Sequence, residues 1–202
     1  MKKIGTVFVF LLTFLLLFTG CNNSQNTPTK RVEEFLGKYQ SLDSEVLSQL
    51  DTVIKSDKNM SDEQKDAYRA ALEKQYQNLS YKIKDEKIDG DTAVVDAEIE
   101  VLDYATAISE AKDYYREHKD EFKEQEENKT DDNSLVDDAK DAVEDSFEKT
   151  KAFIDYKIKQ IENVNDKTKY TITFNLEKND GKWELKDITD EDRQKLHGLY
   201  EA

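Results

Sequence analysis

Residues 79–101 decide the fold of this chain, and they read LSYKIKDEKIDGDTAVVDAEIEV. Leu79, Tyr81 and Ile83 alternate with polar side chains, and the dipeptide at 89–90, Asp-Gly, is typical of a tight hairpin turn. After the turn, apolar side chains recur at every second position from Ala93 to Val101, with carboxylates between several of them. Because successive strand residues point to opposite faces, this pattern predicts an antiparallel hairpin with one buried face and one wet face.

A second hairpin is predicted near the end of the chain. Residues 170–176 alternate again, an Asn-Asp-Gly turn follows at 179–181, and Trp183 and Leu185 share one face of the returning strand. The other apolar residues follow helical spacing, in the stretches 32–39, 42–54, 68–79, 108–122, 136–161 and 189–199. Thr27 before Pro28, the capping box that begins at Ser61, and Thr189 predict helix starts. The predicted fold class is therefore α+β. N-terminal helices pack on a curved antiparallel sheet made of two hairpins, with a long charged helical insertion, residues 105–165, between them.

The N-terminus carries an export signal. Residues 1–3 are Met-Lys-Lys, residues 4–18 are almost entirely apolar, and small residues then precede Cys21. The apolar run is shorter than the ~20 residues of a spanning helix, and no A-x-A-like site supports a plain secretory signal. Residues 17–21, Leu-Phe-Thr-Gly-Cys, resemble the lipobox of bacterial lipoproteins, although Phe18 stands where an aliphatic residue is usual. The resemblance implies a signal peptide at 1–20, a diacylglyceryl lipid on Cys21, and a place on the extracytoplasmic face of the cell membrane.

Charge limits the partners of the remaining chain. The full chain has 45 acidic side chains against 30 basic ones, a net charge of −15; without Lys2 and Lys3 of the signal the balance is 28 basic against 45 acidic, or about −17. Non-specific binding to nucleic acid depends on lysine and arginine, so that class of partner is excluded. Anionic lipid headgroups also repel such a domain, which leaves the N-terminal lipid anchor as its expected membrane contact. Residues 21–30 are polar and predict a flexible tether, and residues 31–202 predict a single domain.

Two segments carry a resemblance to a known superfamily. Residues 32–43, VEEFLGKYQSLD, and residues 179–187, NDGKWELKD, resemble small exported proteins of the nuclear-transport-factor-2-like (cystatin-type α+β) superfamily. The chain also resembles uncharacterised lipoproteins of low-GC Gram-positive bacteria over most of residues 29–202. The resemblance implies helices packed in the concave side of a curved sheet, and enzymes of the superfamily use a carboxylate or histidine base inside that cone. Residues 105–165 depart from the compact superfamily core.

Two acidic groups are candidates for cation binding. Asp85, Asp89, Gly90 and Asp96 approach the offsets of a calcium loop, but Lys87 replaces a required ligand, so a charged hairpin is favoured. A denser cluster is more typical of a solvated helix surface, and it comprises Asp131, Asp132, Asp137, Asp138, Asp141, Glu144 and Asp145. Neither group predicts a metal site.

Catalytic residues are equally weakly indicated. His118 and His197 stand in no recognisable arrangement with a nucleophile or metal ligand, and Asp96 or Asp103 could serve as a base only inside a superfamily-type cone. We therefore predict no catalytic residue, no cofactor and no metal, with Cys21 as the single site residue.

The tyrosines suggest a binding site instead. A curved sheet could collect several of them around a pocket, although most tyrosines at regular spacing belong to a core. The candidates are Tyr68, Tyr76, Tyr81, Tyr104, Tyr114, Tyr115, Tyr156 and Tyr170. The expected function is a non-catalytic binding or interaction module for a small ligand, a cell-wall component or a protein partner. The alternative is a pocket enzyme of the superfamily's type.

Overall fold

The computed structural model describes residues 26–122 and 150–201. Its helices are α1 (Pro28–Gln40), α2 (Ser44–Ser56), α3 (Asp62–Asn78), α4 (Tyr104–Glu117), α5 (Lys151–Glu162) and α6 (Asp190–His197). Its strands are β1 (Ser80–Asp89), β2 (Thr92–Leu102), β3 (Lys167–Asn179) and β4 (Lys182–Leu185). All neighbouring strands pair antiparallel in the order β1-β2-β3-β4, so the sheet consists of the two predicted hairpins side by side and does not close into a barrel. The predicted α+β fold class is confirmed.

One face of the sheet forms the main core. The apolar positions of β2 from Ala93 to Val101 are buried, and so are Ile172, Phe174 and Leu176 of β3. The opposite face is polar: Thr173 Oγ1 donates a hydrogen bond of 2.7 Å to Asp96 Oδ1. The alternation in the sequence therefore predicted correctly which side chains of β2 and β3 are buried. The pattern weakens along β1, where the register shifts between Ile83 and Asp85 and the following residues are exposed.

The helix starts follow their capping residues. Thr27 caps α1, with Pro28 in the first turn, where its missing N–H costs no hydrogen bond. Asp43 caps α2, and Ser61 with Gln64 forms a complete capping box for α3. Helix α1 thus begins inside the stretch 21–30 that the sequence predicted as tether, three residues before the expected domain start. Its apolar stripe, Val32 and Leu36 above all, packs fully buried over the sheet.

Helices α4 and α5 bound the predicted helical section. They pack on each other around a second, smaller apolar cluster, which consists of Ala111, Tyr115, Phe122, Ala152 and Phe153. The predicted helix through residues 136–149 lies outside the described residues. Across the described ranges, no helix has both the length and the apolar composition needed to span a membrane.

A buried junction attaches α6 to the rest of the fold. The Gln75 side chain is completely buried, and its Oε1 accepts a hydrogen bond of 2.8 Å from the backbone N–H of Leu102. Its Nε2 lies 3.5 Å from the carbonyl oxygens of Leu102 and Leu196. Gly198 ends α6 in the left-handed conformation (φ 70°), and its carbonyl accepts from the N–H of Ala105 at 2.7 Å. These contacts hold α6 against α3 and the end of β2.

Candidate functional site

A cleft opens where four helices meet. Its volume is about 440 Å³, which lies within the usual range of small-molecule sites. The last turn of α1 contributes Tyr39, and the chain end after α6 contributes Leu199. The remaining lining residues lie on α2, α3 and α6, and they are Val46, Gln49, Leu50, Thr52, Val53, Tyr68, Leu72, Tyr76, Arg193 and His197.

Helical spacing explains why these side chains converge. Tyr68, Leu72 and Tyr76 are four residues apart along α3, so they form one stripe on that helix. Arg193 and His197 stand in the same i, i+4 relation on α6. The sequence favoured core for this stripe and named Tyr68 and Tyr76 as pocket candidates; Leu72 and Tyr76 are buried in the main core and also form a wall of the cleft.

The rings in the cleft form a connected aromatic cluster. Tyr39 and Tyr76 meet edge to face with centroids 5.0 Å apart, and His197 lies 5.7 Å from Tyr76 at a tilted angle. Such edge-to-face contacts are a favoured arrangement of aromatic rings. The cluster therefore forms an apolar surface whose polar atoms are tyrosine hydroxyl oxygens and imidazole nitrogens.

Those polar groups lack protein partners within the described part of the chain. The hydroxyls of Tyr39, Tyr68 and Tyr76 and the ring nitrogens of His197 make no hydrogen bond to another described residue, and none of these atoms is sealed away from solvent. In contrast, the Tyr104 hydroxyl in the core donates to the carbonyl oxygen of Ala71 at 2.8 Å. Because buried polar groups are normally paired, open donors in an apolar cleft are available to a bound molecule.

The cleft favours uncharged forms of its titratable groups. Burial lowers the pKa of the His197 imidazole to about 4, and the nearby Arg193 guanidinium acts in the same direction. Burial raises the pKa of the Tyr68 hydroxyl to about 12 and that of Tyr76 further still. At neutral pH the cleft therefore offers a neutral imidazole and neutral phenols. Its charged lining residue, Arg193, is exposed and already lies 3.6 Å from Asp190.

The second histidine and the carboxylates proposed as bases lie elsewhere. His118 stacks on Tyr114 at 4.0 Å and contacts its backbone carbonyl oxygen, on the exposed end of α4. Asp103 caps α4 through the N–H and hydroxyl of Thr106. Asp96 lies on the wet face of the sheet. The superfamily-type cone is not open in the described fold, because apolar side chains fill the helix-covered face of the sheet.

The carboxylates of the first hairpin do not form a metal site. Asp85, Asp89 and Gly90 lie in the first hairpin, which agrees with the interpretation favoured from sequence. Among residues 26–122 and 150–201, no group of histidine, cysteine and carboxylate side chains has the geometry to hold a metal ion. Cys21 and the acidic cluster at 131–145 lie outside these ranges.

The tyrosines are divided between three environments. Tyr68 and Tyr76 line the cleft, Tyr76 as a member of the main core, and Tyr104 lies in the main core without reaching the cleft. Tyr114, Tyr115 and Tyr156 gather between α4 and α5, and Tyr81 and Tyr170 pack at the border of the main core. The sequence missed Tyr39 and Arg193 as members of the site. Their helical positions were recognisable, but nothing local indicated that the end of α1 and the last helix meet.

Comparisons with known proteins add little. No protein-family model matches the chain, and no curated protein matches it. A solved structure from Bacillus subtilis subsp. subtilis str. 168, named a "putative lipoprotein (ycdA)", aligns with 89% of this chain at 19% identity and a TM-score of 0.34. The alignment spans half the length of that chain. A TM-score this low does not establish a shared fold, and the resemblance to the nuclear-transport-factor-2-like superfamily stays a prediction.

Proposed function

We propose that this chain is a lipid-anchored extracytoplasmic protein that binds a small, uncharged amphiphilic molecule in the tyrosine cleft. By the tyrosine cleft we mean the space lined by Tyr39, Tyr68, Tyr76 and His197 together with the apolar side chains of α2. The observation that carries the proposal is the set of hydroxyl and imidazole groups without protein partners on an otherwise apolar wall.

The location rests on the N-terminal sequence. The export signal and the lipobox-like residues before Cys21 support lipid attachment there. Two acyl chains are enough to retain a protein that has no spanning helix, since each buried CH₂ contributes about 0.8 kcal/mol. The strongly negative charge of the chain supports an anchor of this kind, because the domain itself is repelled by anionic lipid.

The chemistry of the cleft supports the class of ligand. Val46, Leu50 and Leu72 provide apolar contact for an aromatic or aliphatic body. The tyrosine hydroxyls and the neutral imidazole can donate to or accept from an uncharged polar group. A strongly charged ligand is disfavoured, because the charged residue of the lining, Arg193, is exposed and lies beside Asp190, so a charge transferred into the apolar part of the cleft would lose its hydration without a free counter-charge.

The anchor is tested by mass spectrometry of the membrane fraction from the native host. We expect a mature N-terminus at Cys21 that carries a diacylglyceryl mass. The Cys21→Ala variant should leave the membrane fraction. Recovery of that variant in the membrane at the wild-type level would refute the anchor.

The cleft is tested with N-phenyl-1-naphthylamine, an uncharged aromatic probe whose fluorescence rises in apolar sites. Val53 is 65% exposed at the cleft rim, so Val53→Glu should fold normally while placing a carboxylate beside the ligand. We expect about tenfold weaker probe binding, because the bound probe would displace water from the new carboxylate, and tenfold corresponds to about 1.4 kcal/mol. Ile88→Glu is the matched control, because Ile88 is 55% exposed but lies on β1 away from the cleft. Equal effects of the two changes would refute this site.

A pair of tyrosine variants tests the polar contacts. Tyr68→Phe removes a hydroxyl that faces the cleft, and loss of one ligand hydrogen bond should weaken binding of a phenolic ligand by about three- to tenfold. Tyr104→Phe removes a hydroxyl that is bonded inside the core, and it should lower stability while leaving ligand affinity unchanged. Equal ligand affinity in the two variants would show that the cleft hydroxyl is not used.

A pocket enzyme is the second candidate, and the observation in its favour is the neutral imidazole of His197 among aromatic rings. The described lining contains neither a carboxylate nor a serine or cysteine nucleophile, and His197 has no described partner to orient its ring, which favours binding over catalysis. Release of p-nitrophenol from p-nitrophenyl acetate provides a test. Activity lost in His197→Gln but kept in His118→Gln would favour the enzyme. Equal rates in the two variants would count against it.

A further inference from the structure

The side chain of Asn26 is attached to an edge of the sheet. Its Nδ2 donates a hydrogen bond of 2.6 Å to the carbonyl oxygen of Gly181, and its Oδ1 accepts one of 3.1 Å from the N–H of Trp183. Because β4 is an edge strand, this amide pairs with backbone groups much as a peptide unit of a further strand would. We call this contact the Asn26 clasp.

A second contact holds the start of α1 at the same end of the sheet. The N–H of Thr29 donates a hydrogen bond of 2.9 Å to Glu86 Oε2 on β1. The two hairpin turns are neighbours at this end, since the N–H of Lys178 donates to the carbonyl oxygen of Asp91 at 2.8 Å. The chain therefore enters the fold beside both turns, and we call this region the turn end of the sheet.

The tyrosine cleft lies at the other end. Helix α1 starts at the turn end, and Tyr39 follows Pro28 by eleven residues, or about 16 Å of helix. Strand β2 runs in the same sense, from Thr92 beside the turns to Leu102, a length of about 33 Å. The residue after His197, Gly198, is bonded just beyond Leu102, so His197 also lies at the far end.

Covalent geometry limits how far the turn end can be from an anchor at Cys21. Five residue steps join Cys21 to Asn26, and each step spans at most ~3.6 Å. The clasp is thus within about 18 Å of the lipidated residue. The cleft lies farther from the clasp, since about 16 Å of α1 separates the helix start from Tyr39 and about 33 Å of β2 separates the turns from Leu102.

We infer that the lipid-anchored chain stands with its turn end toward the bilayer and displays the tyrosine cleft at its membrane-distal end, with the Asn26 clasp setting this orientation. The inference rests on the anchor in the proposed function but not on the ligand. It assigns a lipid-facing surface, the two hairpin turns. Residues 85–91 carry four carboxylates against one lysine, whereas the second turn carries Lys178 and Lys182 beside Asp180. The two turns together are still negative, which opposes adhesion to anionic headgroups. Ligands would therefore reach the cleft from the side away from the membrane.

Energy transfer to the bilayer tests this orientation. The full-length lipidated protein, with Cys21 blocked as a thioether, is reconstituted in phosphatidylglycerol–phosphatidylcholine vesicles that contain a headgroup-labelled acceptor lipid. A donor dye is placed on Lys182→Cys at the turn end or on Thr52→Cys at the cleft rim, and both native side chains are exposed, so folding should persist. We expect clearly more efficient transfer from position 182 than from position 52.

A longer tether provides the matched comparison. Six Gly-Ser residues inserted between Ser24 and Gln25 should reduce the difference between the two positions, and Asn26→Ala should do so in part. Equal transfer from both positions, or more from position 52, on vesicle-bound and correctly folded protein would overturn the inference. Flotation with the vesicles is measured separately. Failure of the protein to float would overturn the proposed anchor itself, together with this inference.

Discussion

Gly198 is the position where one added methyl group should do the most damage to the site. The residue ends α6 with φ 70°, a conformation that side-chain-bearing residues rarely adopt. A Cβ built there would collide with the carbonyl oxygen of Leu102 and lie 2.7 Å from Nε2 of Gln75. Gly198→Ala therefore combines backbone strain with a collision against a buried hydrogen-bonded junction.

Gly181 provides a comparison in which backbone strain occurs without a collision. It has a similar φ of 78°, but no atom lies within 4 Å of a Cβ placed on it. Gly181→Ala should therefore cost the conformational strain alone, about 1–2 kcal/mol. Gly198→Ala should cost that amount plus the loss of pairing around the buried Gln75 amide, about 1–3 kcal/mol more. The total for Gly198→Ala is about 2–5 kcal/mol, a large share of the stability of an ordinary domain.

Urea unfolding of the two variants and the wild type provides the measurement. Lower midpoints with unchanged slopes would identify a change in stability rather than in unfolded-state compactness. The Gly198→Ala variant should also bind N-phenyl-1-naphthylamine more weakly, because displacement of α6 moves His197 and Leu199 in the cleft wall. Equal losses of stability in the two variants would refute the proposed junction between α6, Gln75 and β2.

Three further changes have expected outcomes. Gln75→Leu leaves the buried N–H of Leu102 without its acceptor, so urea unfolding should show a loss of about 1–3 kcal/mol, and a neutral result would contradict the assigned hydrogen bonds. Gly37→Ala lies within α1 with no atom within 4 Å of the new Cβ, and it should raise stability by about 0.5–1 kcal/mol in the same assay. Burial lowers the pKa of His197 to about 4 in the fold, against 6.5 ordinarily. Between these two values the unfolded chain binds a proton that the folded chain does not, so the free energy of unfolding decreases as the pH falls from 6.5 to 4. His197→Gln should lose less stability over that window, and identical pH dependence would show that the imidazole is not buried as described.

Local patterns were sufficient for the elements and their faces. The alternation from Ala93 to Val101 predicted both the strand and its buried side, because side chains two residues apart lie on the same face of a pleated sheet. Thr27, Ser61 and Thr189 predicted helix starts, because a capping side chain bonds only to N–H groups two or three residues away. The exposed end of β1 was missed, since the register shift near Ile83 depends on its pairing with β2.

The sequence by itself determined the α+β class, the two hairpins and the capped helices, because each is encoded by residues close together in the chain, and it predicts a lipobox-like anchor signal at Cys21 on the same kind of local evidence. Only the tertiary structure decided the site. Tyr39, Tyr68 and His197 meet because α6 is held against α3 by Gln75, and Asn26 meets β4 across more than 150 residues of chain. A helical period shows which side chains share a face of one helix, but the neighbour of that face is chosen by packing between distant elements. For that reason the sequence could name eight tyrosines as pocket candidates but could not select among them, and only the folded chain shows that Tyr68 and Tyr76 border one cleft.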